Sequence, residues 1–143
     1  MFENPSDNQI KEILQKSKNI AVVGLSGNSE KDSYRVARYM MEKGYKIIPV
    51  NPGEDQIMGL KSYPDLTSIS ERIDIVNVFR RSEFLPSVAE EALQVRPDCI
   101  WTQLGVAEEG SAARAQSQGI TVVMNRCIKI EHERLLAEHH EKQ

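Results

Sequence analysis

A loop of small, hydroxyl-bearing and basic residues follows the first apolar segment, and these residue types suit phosphate. Gly24 and Gly27 permit tight backbone turns. Free N–H groups at the start of the helix that follows would attract an anion through hydrogen bonds and the helix dipole. The loop also contains the hydroxyl groups of Ser26, Ser29 and Ser33 and the positive charges of Lys31 and Arg35. The pattern predicts an anion site, although an ordinary strand-to-helix loop with a capping serine has a similar composition.

The glycine spacing of this loop differs from the dinucleotide fingerprint. Counted from Gly24, the pattern G-x-G-x-x-G requires glycine where Ser26 and Ser29 stand. NAD-binding proteins also commonly carry an acidic residue at the end of the second strand, where it holds the ribose hydroxyls. Here Val50-Asn51-Pro52 takes that place, and the first acid that follows is Glu54. The pattern disfavours NAD and leaves an NAD-type enzyme as an alternative.

A pair of arginines, Arg80 and Arg81, directly follows Phe79 at the end of another apolar segment. Guanidinium groups clamp phosphates with two hydrogen bonds, which lysine does not do. A solvated surface pair is the competing interpretation. Their place at the carboxyl end of a strand favours contact with a ligand.

Apolar segments alternate with helical ones along the chain, and they must position these loops. Short apolar runs predict five strands at residues 19–24, 45–50, 73–79, 98–102 and 120–124. Helical spacing predicts helices at 7–17, 33–44, 83–94, 107–118 and from 128 to about 140. This order predicts one doubly wound α/β domain over residues 1–143, with a mainly parallel five-stranded sheet. Ligands of such sheets bind beyond the carboxyl ends of the strands.

Local features add four expectations about these elements. Asp7 and Ser33 are the expected caps of the first two helices. Pro49 lacks an N–H, so the second strand should end there or lie unpaired on one side. Pro86 falls in the first turn of its helix, where the missing donor does no harm. Polar residues alternate with apolar ones in the third strand, which predicts an exposed or edge strand.

Composition excludes several classes of function. The formal net charge of -3 gives no basic field for nucleic acid. No apolar run approaches the roughly 20 residues of a membrane span, and the N-terminus lacks a signal-peptide pattern. Cys99 and Cys127 have no CxxC spacing, which disfavours a disulfide framework or a zinc site. We therefore expect a cytoplasmic protein without nucleic-acid or membrane partners.

The sequence offers few candidates for catalysis or metal binding. His132, His139 and His140 all fall in the C-terminal helix, where we expect them, like Glu131, to be solvated. Cys127 follows the positive Arg126 and is a candidate nucleophile, the alternative being a semi-buried small side chain. We predict no catalytic residue and no metal site, and the sequence identifies no protein partner.

Five segments together resemble the stand-alone bacterial CoA-binding domain family. They are Ile20-Ala21-Val22-Val23-Gly24-Leu25-Ser26, Ser33-Tyr34-Arg35-Val36-Ala37, Ile48-Pro49-Val50-Asn51-Pro52, Asp74-Ile75-Val76-Asn77-Val78-Phe79-Arg80-Arg81 and Val122-Val123-Met124-Asn125-Arg126-Cys127. The resemblance implies a Rossmann-like fold related to the CoA-binding domain of the succinyl-CoA synthetase α subunit. Two departures are a first loop without the family's frequent proline and arginine, and Asn125 where aspartate is common.

The resemblance also implies coenzyme A as the ligand and assigns regions to it. The phosphates would lie at residues 26–35, which include Tyr34, and the adenosine portion would be bordered by Val50, Asn51, Pro52, Phe79 and Arg80. The pantetheine would pass Trp101, Thr102, Gln103 and Gly105. The histidine that larger related ligases phosphorylate is carried on a separate domain and is absent here. We expect a module that binds coenzyme A or an acyl-CoA without chemistry of its own; the alternatives are the NAD-type enzyme and an interaction subunit with a vestigial pocket.

Overall fold

The computed structural model of the protein describes residues 1–137, so His139 and His140 lie outside the described residues. The strands, in chain order, are β1 (Asn19–Val23), β2 (Lys46–Val50), β3 (Gln56–Ile57), β4 (Leu60–Lys61), β5 (Ile75–Val78), β6 (Cys99–Thr102) and β7 (Thr121–Val123). The helices are α1 (Asp7–Lys16), α2 (Asp32–Glu42), α3 (Leu85–Val95), α4 (Glu109–Ser117) and α5 (Ile128–His132), the last followed by a π-helical turn over Glu133–Ala137.

Five strands form one parallel sheet in the order β2-β1-β5-β6-β7. The predicted α/β class and the five-stranded sheet are therefore confirmed. Apolar residues pack on both faces. On one face, Val76 of the sheet belongs to a cluster with Val88 of α3 and Ala112 of α4. On the other face, Trp101 of the sheet belongs to a cluster with Met40 of α2 and with buried residues of α1 and α5. β2 is an edge strand, which suits Pro49 because proline has no N–H to donate to a further strand on the outer side, where its carbonyl accepts from the Tyr63 N–H at 3.0 Å.

The third predicted strand, β5, is central rather than exposed or at an edge. It pairs with β1 and β6, and all four of its residues are buried. Its polar residue Asn77 is 1% exposed and donates from Nδ2 to the Trp101 carbonyl at 3.2 Å. Asp74 precedes the strand and accepts hydrogen bonds from the backbone N–H groups of Lys18 and Asn19. The polar residues thus have specific partners, and their alternation does not mark a solvated face.

In chain order, a small antiparallel hairpin, β3-β4, comes between β2 and β5, where the sequence predicted no regular structure. Met58 and Gly59 both have positive φ, 57° and 75°, as a tight two-residue hairpin turn requires. Ile57 is buried, and Val50 makes an isolated parallel bridge with Tyr63. The hairpin brings the chain back toward the carboxyl end of β2.

Both predicted helix caps are wrong. Ser6, not Asp7, caps α1, in a reciprocal pair of hydrogen bonds with Gln9. Lys31 is the N-cap residue of α2 and makes no side-chain cap. Ser33 is buried inside the first turn, and its Oγ accepts from the Ser26 N–H at 3.0 Å. The predicted position of Pro86, in the first turn of α3, is confirmed.

Two C-terminal residues, Glu131 and His132, are not solvated as the sequence predicted. His132 is 7% exposed, and its Nδ1 lies 2.8 Å from the Tyr39 hydroxyl. Glu131 is 5% exposed and pairs with Arg126 and Arg134. These contacts fasten α5 to the body of the domain. Among residues 1–137, none of the helices has the length and apolar character needed to cross a bilayer.

Candidate functional site

A cleft of about 520 Å³ opens at the carboxyl ends of β1, β2 and β5. Six predicted site residues line it: Gly24, Val50, Asn51, Pro52, Phe79 and Arg80. The remaining lining residues are Val23, Pro64, Asp65, Ser87, Val88 and Glu91. The cleft is therefore where the rule for open parallel sheets places a ligand.

Sequence reasoning missed the wall of this cleft that comes from the segment after the hairpin and from α3. Asp65 Oδ1 accepts from the N–H and hydroxyl of Ser68, and these hydrogen bonds lower the pKa of Asp65. Glu91 Oε1 accepts from the Leu66 N–H at 3.0 Å. The sequence Asp65-Leu66-Thr67-Ser68 contains a capping signal. The hydrogen bond to Glu91 ties that turn to α3 at the wall of the cleft.

Gly24 joins the ends of three strands. Its N–H donates to the Val50 carbonyl at 2.9 Å, and its φ of +86° is a conformation that favours glycine. A Cβ at this position would lie 2.5 Å from the Phe79 carbonyl oxygen. The packing of β1 against the end of β5 therefore requires glycine here.

The first loop is held in shape by its own polar side chains. Ser33 Oγ accepts from the Ser26 N–H, and Ser26 Oγ accepts from the Asn28 N–H at 3.0 Å. Asn51 connects the loop to the turn after β2, because its Nδ2 donates to the Leu25 carbonyl at 2.9 Å and its Oδ1 accepts from Gly53. The loop thus has a defined conformation and a fixed relation to the cleft.

The amino end of α2 remains available to an anion. The first N–H groups of a helix have no acceptor within it, and no side chain caps this one at Lys31. Gly27, Ser29, Lys31 and Arg35 are exposed, and Tyr34 is half-buried. The Arg35 guanidinium contacts the Glu30 carbonyl and lies 3.7 Å from Asp32. The basic residues predicted to bind phosphate therefore stand at a helix end whose dipole attracts negative charge.

The two arginines after β5 have different surroundings. The Arg80 guanidinium lies over the Phe84 ring, 4.2 Å from its centroid, and borders the cleft. Arg81 lies 5.5 Å from the same centroid, and its Nε is 3.4 Å from Glu83 Oε1. Arg81 is not part of the cleft wall. The geometry brings one of the two predicted arginines to the site.

The loop after β6 forms a second stretch of the same rim. Gln103 Oε1 is buried and has no hydrogen-bond partner within residues 1–137. Gly105 adopts φ +83°, and its N–H donates to Asn125 Oδ1 at 2.7 Å. Ser82 Oγ donates to the Gly105 carbonyl and accepts from Ala107. These bonds fix the loops after β5, β6 and β7 relative to one another.

The cysteines are both buried in the described part of the chain. Burial raises the pKa of the Cys99 thiol to about 12, which suppresses the thiolate. Cys127 is 7% exposed and precedes α5. No group of three or more histidine, cysteine or acidic side chains with metal-binding geometry occurs among the residues that the structure covers.

Comparisons with known proteins relate most of the chain to one family. Residues 18–133 match the family model described as CoA binding domain. YneT, an uncharacterized protein of Bacillus subtilis, is 49% identical over 131 residues, which are 92% of this chain and 97% of YneT. An ADP-forming acetate–CoA ligase II of Archaeoglobus fulgidus is 30% identical over 96 residues, covering 65% of this chain but 14% of the ligase.

Two solved structures share the fold over nearly the whole chain. Prb, the PH1109 protein redesigned for binding, superposes with a TM-score of 0.91 and 34% identity over 95% of this chain and 96% of Prb. A hypothetical protein of Pyrococcus horikoshii gives a TM-score of 0.89 and 34% identity, over 95% of this chain and 99% of that one. The match of the family model to most of the sequence, on a Rossmann-like sheet, establishes that the chain belongs to the CoA-binding domain family.

Proposed function

We propose that the protein binds coenzyme A along the carboxyl edge of its sheet. The observation that carries this proposal is a cleft of about 520 Å³ that stands beside an uncapped helix N-terminus. These two features match two parts of coenzyme A: a compact adenosine that the cleft would hold, and several phosphates that the helix N-terminus would attract. The ADP-forming acetate–CoA ligases among the relatives are named for CoA, and this chain matches only a small part of their length.

The cleft suits the adenosine portion. Val23, Val50 and Val88 give it apolar walls, and the backbone around Pro52 and Phe79 borders its opening. Ligand sites are commonly apolar clefts with a few placed polar groups. The acidic side chains of the wall, Asp65 and Glu91, already accept hydrogen bonds from the protein, so they are positioned without a ligand.

Positive charge and N–H groups suit the phosphates. Lys31 and Arg35 lie at the amino end of α2, and Arg80 Cδ would lie 3.3 Å from a Cβ built at Gly24. The stacking of Arg80 on Phe84 orients the guanidinium plane, which reduces the entropy lost when it forms two hydrogen bonds with a phosphate. The phosphates would therefore bridge the first loop and the end of β5.

The pantetheine arm would continue toward the loop after β6. Pantetheine contains amide groups, and Gln103 Oε1 is a buried acceptor that has no partner in the described chain. A buried acceptor without a hydrogen bond costs free energy, which a ligand N–H would recover. Gly105 adds no side chain to this path.

The proposal includes no reaction. The acids nearest the cleft are engaged by backbone N–H groups, and both cysteines are buried. Binding without turnover is therefore the role that these residues support.

Isothermal titration of the purified protein with CoA, dephospho-CoA, NAD and ATP tests the proposal. We expect CoA to bind most tightly and to be recovered unchanged after prolonged incubation. A preference for NAD would favour the NAD-type enzyme instead. No heat and no thermal shift with any of the four would favour an interaction subunit with a vestigial pocket.

A further inference from the structure

The carboxylate of Glu54 lies on the loop to which the proposed function assigns phosphate. Its Oε2 accepts a hydrogen bond from the Gly27 N–H at 3.0 Å, across 27 residues of sequence. A Cβ at position 27 would lie 2.6 Å from Oε1 and 2.9 Å from Oε2. The carboxylate therefore rests directly on the backbone of Gly27, and a Cβ at this position would have to displace it.

This contact is not needed to hold the two loops together. Asn51 already joins them, because its amide donates to the Leu25 carbonyl and accepts from the Gly53 N–H. The N–H of Glu54 also bonds to the Asn51 carbonyl at 3.3 Å. The backbone that carries Glu54 is thus placed independently of its side chain, and the carboxylate is free to leave Gly27 without unfolding the turn.

A carboxylate and a phosphate compete for the same kind of donor. Both are anions, and hydrogen bonds to an ionised acceptor are stronger than neutral ones. A phosphate that approaches the Gly27 N–H meets a negative charge already in place. It must either displace the carboxylate or accept repulsion at close range.

We propose that Glu54 is an affinity-setting residue of the coenzyme A site, occupying the anion position at Gly27 until a ligand phosphate displaces it. The inference rests on the proposed function, since it concerns the same phosphates. Removal of the carboxylate should then strengthen CoA binding. The gain should shrink as salt rises, because Glu54 is exposed and its repulsion is screened.

Titration of CoA into the wild-type protein, E54A, E54Q and the neighbouring control D55N tests this assignment. D55N removes the same charge one residue away, from a side chain that does not accept the Gly27 N–H. E54Q removes the charge but keeps the size of the side chain, so it repeats the test if E54A is poorly folded. We expect about tenfold tighter binding by E54A at low ionic strength and a change of about twofold or less for D55N.

The outcomes separate this inference from the proposed function. If the wild type binds CoA and neither E54A nor E54Q binds it more tightly, the assignment of Glu54 is wrong and CoA binding stands. Equal tightening by D55N would also overturn it, because a general charge effect would suffice. Detectable binding by E54A, with none by the wild type or D55N, would support it. Absence of binding by every variant would overturn both proposals.

Discussion

Tyr39 and His132 meet across the interface between α2 and α5, with the phenolic oxygen 2.8 Å from Nδ1 of the imidazole. The two rings also stand edge to face, with centroids 5.4 Å apart. Tyr45 presents a second ring to the same imidazole, at 5.8 Å. A polar pair within a mostly apolar layer thus secures the C-terminal helix.

Y39F should destabilise the protein by about 1 kcal/mol, because it removes one partner of a partly buried hydrogen bond and leaves the ring in place. Urea unfolding measures the change. Y34F is the matched control, since Tyr34 is also half-buried and on α2, and it should change stability by less than about 0.5 kcal/mol. Equal effects of the two variants would contradict a specific role for the Tyr39 hydroxyl.

Among the carboxylates of the C-terminal segment, Glu131 should contribute most to the stability of the fold. Its side chain is 7% exposed and lies 3.2 Å from Arg126 and 2.7 Å from Arg134. E131Q should cost about 2 kcal/mol, because it removes the buried carboxylate that two partly exposed arginines bind. E133Q, an exposed neighbour, should be close to neutral in the same unfolding assay. An E131Q protein as stable as the wild type would show that the network contributes nothing net.

Asp74 should contribute a pH-dependent part of the stability. Burial alone would raise the pKa of Asp74, but hydrogen bonds from the Asn19 and Lys18 N–H groups and the charge of Arg72 outweigh it and lower the pKa below 3.8. A carboxyl group whose pKa falls on folding stabilises the folded state above its unfolded pKa, and this contribution disappears as the pH drops through the folded pKa.

D74N should therefore lower the free energy of unfolding by about 1 kcal/mol at pH 7, with a smaller difference from the wild type below pH 3. Denaturant unfolding at several pH values measures both differences. A D74N effect that stays constant from pH 7 to pH 3 would contradict a role for the ionised carboxylate.

Gly24 and Gly119 allow conformational strain to be separated from a steric clash. Their φ angles are +86° and +84°, but only a Cβ at Gly24 would meet an atom within 4 Å, the Phe79 carbonyl oxygen at 2.5 Å. G119A should cost about 1 kcal/mol from φ alone. G24A should cost at least about 2 kcal/mol more, because the strand ends must also separate. Similar melting temperatures for the two variants would refute the clash.

The position of the cleft at the carboxyl edge could be predicted from the sequence because it follows from the alternation of parallel strands and helices. The alternation of strands and helices fixes which loops reach the carboxyl edge, and Gly24, Asn51 and Arg80 lie on those loops. Asp65 escaped prediction because its segment reaches the cleft after the β3-β4 hairpin, and Glu91 because its place at the cleft follows from how α3 packs beside that segment. Such a hairpin, built from two-residue strands, leaves almost no periodic signal.

The errors in burial have a common physical cause. Asn77, Glu131 and His132 are polar residues that the sequence assigned to solvent, and each is buried against a partner distant in the chain or on a following turn. Burial was predicted from the periodicity of apolar and polar residues, which depends on side-chain type and not on contacts between distant residues. A buried polar group becomes predictable only when its hydrogen-bond acceptor or counter-charge is known.

Arg80 and Arg81 should differ in their effect on CoA binding although they are adjacent. Arg80 borders the cleft with its guanidinium stacked on Phe84, whereas Arg81 is paired with Glu83 outside it. R80A should weaken CoA binding about tenfold or more, because a phosphate loses a charged, preoriented donor.

R81A removes the same charge and should change the Kd by about twofold or less, which controls for general electrostatics. R80K should recover only part of the affinity, since an ammonium group keeps the charge but cannot form the paired hydrogen bonds of a guanidinium. Calorimetric titration at fixed ionic strength measures all three, and equal losses for R80A and R81A would mean that CoA senses the net charge of this edge rather than one placed arginine.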